Sequence, residues 1–117
     1  MILQQFAREL IIDVAKLTQY ALNPHSDKGQ HKAKVFKAAL GYTQTNYQSL
    51  LEQIKSQALN TVAQVKRTDM YGQHLQVDIE VMGTTGQKAI VRTGWLIEVK
   101  SDTARLTTLY VQESVND

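Results

Sequence analysis

The sequence predicts an α+β domain in which N-terminal helices pack on one face of a four-stranded antiparallel meander sheet. Three observations carry this reading. After Asn60 the apolar period changes from roughly 3.6 residues to roughly 2. His74–Met82 alternates without a break, with Leu75, Val77, Ile79 and Val81 on one side and His74, Gln76, Asp78 and Glu80 on the other. Lys88–Val111 (KAIVRTGWLIEVKSDTARLTTLYV) holds two runs of β-branched and aromatic residues around a polar turn at Lys100–Thr103, which reads as a hairpin. Helices first and strands after make a two-layer unit.

In chain order, Met1–Ile12 reads two ways. Ile2, Leu3, Phe6, Leu10 and Ile11 roughly follow a helical face, but Leu10–Ile12 also suits a short extended segment. Asp13 is an N-cap candidate for a helix over Val14–Leu22, where Val14, Leu17, Ala21 and Leu22 form one stripe. Asn23–Pro24 stops it, and HSDKGQ (His25–Gln30) is a polar loop. A second helix spans His31–Leu40 with Gly41 as C-cap, and a third spans approximately Tyr47–Leu59. Thr61–Thr68 is the first strand, turned by DMYG into the second, and GTTGQ leads into the hairpin. Across the hairpin turn, Val99 is expected to face Ala104, Ile97 to face Leu106, Trp95 to face Thr108 and Thr93 to face Tyr110, all on the core side. The other side would pair Glu98 with Arg105 and Leu96 with Thr107. Between the second and third strands, Val77 is set opposite Thr93 and Asp78 opposite Arg92. Gln112–Asp117 reads as a polar, frayed tail.

At 117 residues, 43% apolar and 21% charged, the chain has the size of one domain, residues 1–117, with one core. A net charge of +2 permits an anionic partner without requiring one. The chain has no cysteine, which excludes disulfides, thiolate catalysis and cysteine-ligated zinc. Three histidines at irregular spacing, without HExxH, do not make a metal site. There is no GxSxG, phosphate-binding Walker loop or dinucleotide GxGxxG. The N-terminus lacks the parts of a signal peptide and no apolar run approaches a membrane span, so a soluble cytoplasmic domain is expected.

Two groups of residues could carry chemistry. His25, Lys28, His31, Lys32, Lys34 and Lys37 cluster against a single acid, Asp27, around a helix start that suits an anion. The plainer alternative is a solvated helix face, although lysines at a helix N-terminus oppose its dipole. The second group is the polar sheet face: His74, Asp78, Arg92, Arg105, Thr107 and, at the strand end, Tyr110. Asp78–Arg92 and Glu98–Arg105 could simply be cross-strand ion pairs. Free arginines on an open face could instead hold a phosphate and stabilise its transition state. Trp95 is assigned to the core, and Tyr42 and Tyr47 to packing near a helix cap rather than to base stacking.

The strings KLTQYALNP, GQHKAKVFKAALG, DMYGQHLQVDI, GQKAIVRTGWLI and ARLTTLYV occur here in order. Together they resemble a family of small bacterial domains of unknown function (DUF6883-like) with the patterns KLxxYxLNPxHPxGxHKAxVF, DEYGxxYxVD, VRSxWIV and PRLTxxYV. The resemblance covers about Asp13 to Val111. It implies a relation to toxin-type ribonucleases of the barnase, colicin and Rel-toxin fold group, often encoded beside a small antitoxin. The motif positions here are His31, Lys32, Tyr71, Gly72, Asp78, Arg92, Arg105, Thr107 and Tyr110. Ser26 and Ala104 stand where the family has proline, and Met70 stands where the turn has an acid, which weighs against a catalytic role for that turn.

The resemblance thus implies a metal-independent endoribonuclease with RNA as substrate and a small cognate antitoxin as partner, needing no cofactor, DNA or membrane. In it the 2′-hydroxyl attacks the adjacent phosphate, which requires a base, an acid and cations on the phosphate. His31 is expected as acid or base, with Lys32, Arg92 and Arg105 on the phosphate and Thr107 and Tyr110 positioning substrate. Lys28, Lys34, His74 and Asp78 are expected to line the substrate site. His31 and Lys32 can join Arg92 only if the second helix begins at the rim of the sheet; otherwise His74 or Asp78 must be the base. The alternative is a non-catalytic protein-interaction domain, such as an antitoxin, immunity or phage accessory protein, using the same sheet. A general RNA-binding module is less favoured, because the aromatic strand pattern of RNA-recognition sheets is missing.

Overall fold

Strand propensity and alternation build a sheet one strand wider than expected. In a computed structural model, which describes residues 1–112, the order is β1 (Glu9–Ile11), β5 (Thr103–Val111), β4 (Lys88–Glu98), β3 (Gly72–Met82) and β2 (Ala63–Asp69). Strands β2 to β5 form the expected antiparallel meander. The correction is β1, which pairs parallel to β5 through Glu9–Thr103, Leu10–Ala104 and Ile11–Arg105, so the sheet is five-stranded and mixed. Three residues are too few to show a period, and a parallel pair needs a long crossover. Here nearly the whole chain is that crossover. The expected polar tail lies, from residue 113 on, outside the described residues.

The segment before β1 links the two sides of the sheet. Ile2 bridges Val62, the Ala63 N–H donates to the Met1 carbonyl (2.8 Å) and the Leu3 N–H donates to the Thr61 carbonyl (3.0 Å). A short 3₁₀ turn, Leu3–Gln5, then leads to β1, with Leu3 and Ala7 buried on the way. The sequence thus crosses from the β2 end to the β5 edge within a dozen residues.

Helix α1 (Gln30–Leu40) ends at Gly41, whose φ of 79° is left-handed, as the glycine predicts. Helix α2 (Gln48–Gln57) passes into a 3₁₀ turn at Ala58–Asn60, a tighter finish than the helix to Leu59 that the periodicity suggests. Phe36, Leu40, Leu50 and Ile54 are buried in one core with Leu75, Val77, Ile79, Val81, Trp95 and Leu106 of the sheet. Trp95 is 1% exposed, and its indole N–H donates to Thr93 Oγ1 (2.8 Å), which donates to the Val77 carbonyl (2.7 Å). Burying this pair leaves no polar atom unmatched.

Two local departures shape the site. The segment expected as a helix over Val14–Leu22 does start on Asp13, whose Oδ1 accepts the Ala15 N–H (3.0 Å). Over Leu17–Ala21, however, it is wound as a π-helix, with the Leu22 N–H donating to the Leu17 carbonyl (2.8 Å). The second departure is register. Asp78–Arg92 and Val77–Thr93 pair as expected. Between β4 and β5 the pairs are instead Leu96–Arg105, Trp95–Leu106, Gly94–Thr108, Thr93–Leu109 and Arg92–Tyr110. The turn begins one residue earlier than expected, at Val99–Asp102 with Lys100 at φ 65°, and Thr107 is an extra residue bulged out of β5. The bulge moves Tyr110 off the core side and lets Leu109, fully buried, take its place.

Candidate functional site

Because β1 covers only Thr103–Arg105, the later half of β5 has no strand beyond it, and α1 packs there. The first turn of α1 therefore stands at the rim of the sheet. The Lys32 ammonium donates to Tyr20 Oη and to Thr108 Oγ1 (3.3 Å). It also lies 4.5 Å from the Tyr20 ring centre and 5.5 Å from that of Tyr110, within cation–π range. Tyr110 stands directly across from Arg92. Arg92 in turn grips Asp78 with both arms of its fork, Nε to Oδ1 (2.9 Å) and Nη2 to Oδ2 (3.0 Å). One row thus runs Asp78–Arg92–Tyr110–Lys32–Tyr20, from the middle of the sheet to its rim. Beside it, Gly94 contributes no side chain; a Cβ there would come within 2.9 Å of Thr108 Cγ2 and 3.2 Å of Thr107 Oγ1.

The π-helical turn fixes Tyr20 from behind. Gly29, just before α1, packs so closely that a Cβ would lie 1.9 Å from the Tyr20 carbonyl oxygen. The polar loop expected at His25–Gln30 is therefore anchored at its end, and this contact sets Tyr20 beside the turn that carries Lys32.

The charges are uneven along the row. Arg92 is tied to a carboxylate, whereas Lys32 has no ion-pair partner among the described residues and is met by hydroxyls and rings. Burial disfavours the charged form of Tyr20, but hydrogen bonds with Lys32 and Thr108 and the charges of Lys32 and Lys16 outweigh it, holding the phenol below its usual range. The Arg92 guanidinium is held charged chiefly by its hydrogen bonds to Asp78, against burial, with Tyr110 adding to the effect.

The other expected residues divide. His31 is exposed one position from Lys32 and, with Val35, Tyr110 and Gln112, lines a recess of about 320 Å³. Thr107 and Lys28 line a second recess of about 480 Å³ beside Tyr20 and Lys16. Lys34 belongs to a groove along α1 towards Lys88 and Ile90 rather than to the row. His74 is bound by Asp69 (2.9 Å), four residues along β3 from Asp78 and so about 13 Å away. Arg105 pairs with Glu98 diagonally and also stands apart. Hence α1 does begin at the rim, and Lys32 joins the arginine face that His74 and Arg105 leave. Two members, Tyr20 and Thr108, are absent from the sequence-based selection. The tyrosine of KLTQYALNP was the available signal for the first; nothing marks Thr108 before the bulge is known. Among the described residues no group of three or more histidines and carboxylates converges on a metal position.

A family profile described as "Domain of unknown function (DUF6883)" matches residues 3–113. The chain belongs to this family. No curated protein and no solved structure matches it. In this DUF6883 domain the row draws on residues from Tyr20 to Tyr110, nearly the whole matched span.

Proposed function

We propose that this domain is a metal-independent endoribonuclease of the toxin kind, cleaving RNA by attack of a 2′-hydroxyl on the adjacent phosphate. The observation that carries the reading is Lys32: a half-buried ammonium held at an open sheet face by hydroxyls and aromatic rings, with no carboxylate among the described residues to neutralise it. Such a cation stays available to an anion, and Arg92 stands in the same row. Both would face the two non-bridging phosphate oxygens, which gain charge as the new bond forms. Lys28 and Lys16 at the neighbouring recess would receive the next phosphate along the strand. His31, exposed at the recess it shares with Tyr110, would protonate the leaving 5′-oxygen. A small antitoxin protein covering this face would silence all of these groups at once.

The test is cleavage of total bacterial RNA by the purified protein in EDTA, with Lys32→Ala and Arg92→Ala in parallel. Wild type should give discrete products ending in cyclic phosphate, with both variants reduced at least about 100-fold. Expression of wild type without a partner should arrest bacterial growth, and expression of either variant should not. One feature favours the second reading, a protein-binding domain: Arg92 and Arg105 already have carboxylate partners. Failure of wild type to cleave any RNA would favour that reading.

A further inference from the structure

We infer that Tyr20 is the general base of this site, with its phenolate oxygen taking the proton of the attacking 2′-hydroxyl; this rests on the ribonuclease reading. The geometry supplies the reasons. Tyr20 Oη accepts a hydrogen bond from the Lys32 ammonium, so the oxygen is turned towards a positive charge that favours its ionised form. The ring lies under the same ammonium, which leaves the oxygen little freedom to swing away. Its backbone is held by the wide turn over Leu17–Ala21 and by the contact with Gly29. A tyrosine needed only for packing would not require its hydroxyl at an ammonium that has no ion-pair partner among the described residues.

The step balances without a further reactant. Tyr20 Oη takes the proton from O2′ as O2′ bonds to phosphorus. The bond from phosphorus to O5′ breaks, and O5′ takes a proton from the His31 imidazolium. The products are a 2′,3′-cyclic phosphate and a 5′-hydroxyl, and both side chains recover their starting forms by exchange with water. The charged groups facing the phenol are Lys32 from α1, Lys16 from its own segment and Lys28 from the loop, with Asp13 at the edge of the same recess and Tyr110 beyond Lys32. Cations prevail, which agrees with the easier ionisation of the Tyr20 phenol.

The experiment measures the rate of oligonucleotide cleavage against pH for wild type, Tyr20→Phe and a protein with fluorotyrosine at position 20. Binding of the 2′-deoxy oligonucleotide, which lacks the nucleophile, is measured alongside. Tyr20→Phe should lose about 100-fold or more in rate while binding the deoxy analogue as wild type does. The fluorotyrosine protein should move the acidic limb of the profile to lower pH. A wild type that cleaves beside a Tyr20→Phe of similar rate overturns the role, as does a variant that loses binding and cleavage together or a limb that fluorination does not move. A wild type that does not cleave overturns the ribonuclease reading and this role with it.

Discussion

At the scale of single residues, the molecule keeps its charges matched at one end of the sheet and unmatched at the other. Asp69 belongs to the matched end. Its burial resists ionisation, but the Tyr71 N–H (2.9 Å), the His74 ring (2.9 Å) and the Gly72 N–H together hold its carboxyl below the ordinary value of 3.8. A carboxyl whose folded value is depressed adds stability above its unfolded value and loses it as pH falls through the folded one. Asp69→Asn should therefore be less stable than wild type at pH 7, and the gap should close on acidification below about pH 4. Urea midpoints at pH 7 and in acid check this; a gap that persists in acid would mean that the carboxylate charge is not its origin. The Asp78–Arg92 pair was legible in the sequence because alternation through β3 and a five-residue turn, GTTGQ, allow one register that keeps Val77 and Thr93 inside. Tyr20 was less legible, since it lies outside the apolar stripe and only the winding of its turn brings it to Lys32.

Among the elements, the two irregular ones build the site. The β5 bulge inserts Thr107 and so presents Thr108 and Tyr110 to Lys32 and Arg92. The hairpin register differs from the expected one first at its turn, which begins at Val99, and again at the bulge, where two adjacent threonines give a sequence reading no way to tell which is the extra residue; the β3–β4 register meets neither obstacle. The π-helical turn was hidden for a similar reason: its apolar positions suit a regular helix, and the wide winding reflects contacts made at Gly29, far from any periodic signal. That contact leads to a prediction for the pair formed by this turn and α1. Gly29→Ala would set a Cβ against the Tyr20 carbonyl, a backbone atom that cannot swing aside, and should cost about 1–3 kcal/mol. Calorimetry measures the loss. The same variant should shift the tyrosine ring signal of residue 20 in NMR spectra, whereas a change confined to the loop would leave it in place.

Over the whole molecule, the N-terminal dozen residues tie the two sides of the sheet into one unit. Leu3 is 0% exposed between the Val62 bridge and β1. Leu3→Ala should cost about 2–5 kcal/mol, and amide exchange should quicken at both Ala63 and Arg8, whose N–H groups bond to the Met1 and Asp102 carbonyls. Quickening at one side alone would show that the segment does not couple them. The row at the rim has its own long-range character, because Tyr20 and Lys32 are made early in synthesis and Arg92 and Tyr110 late. A chain synthesised only as far as α1 holds two of the row's five groups, Tyr20 and Lys32, and none of its sheet residues. Any activity that needs the whole row therefore waits until β5 has been made and has folded against β4.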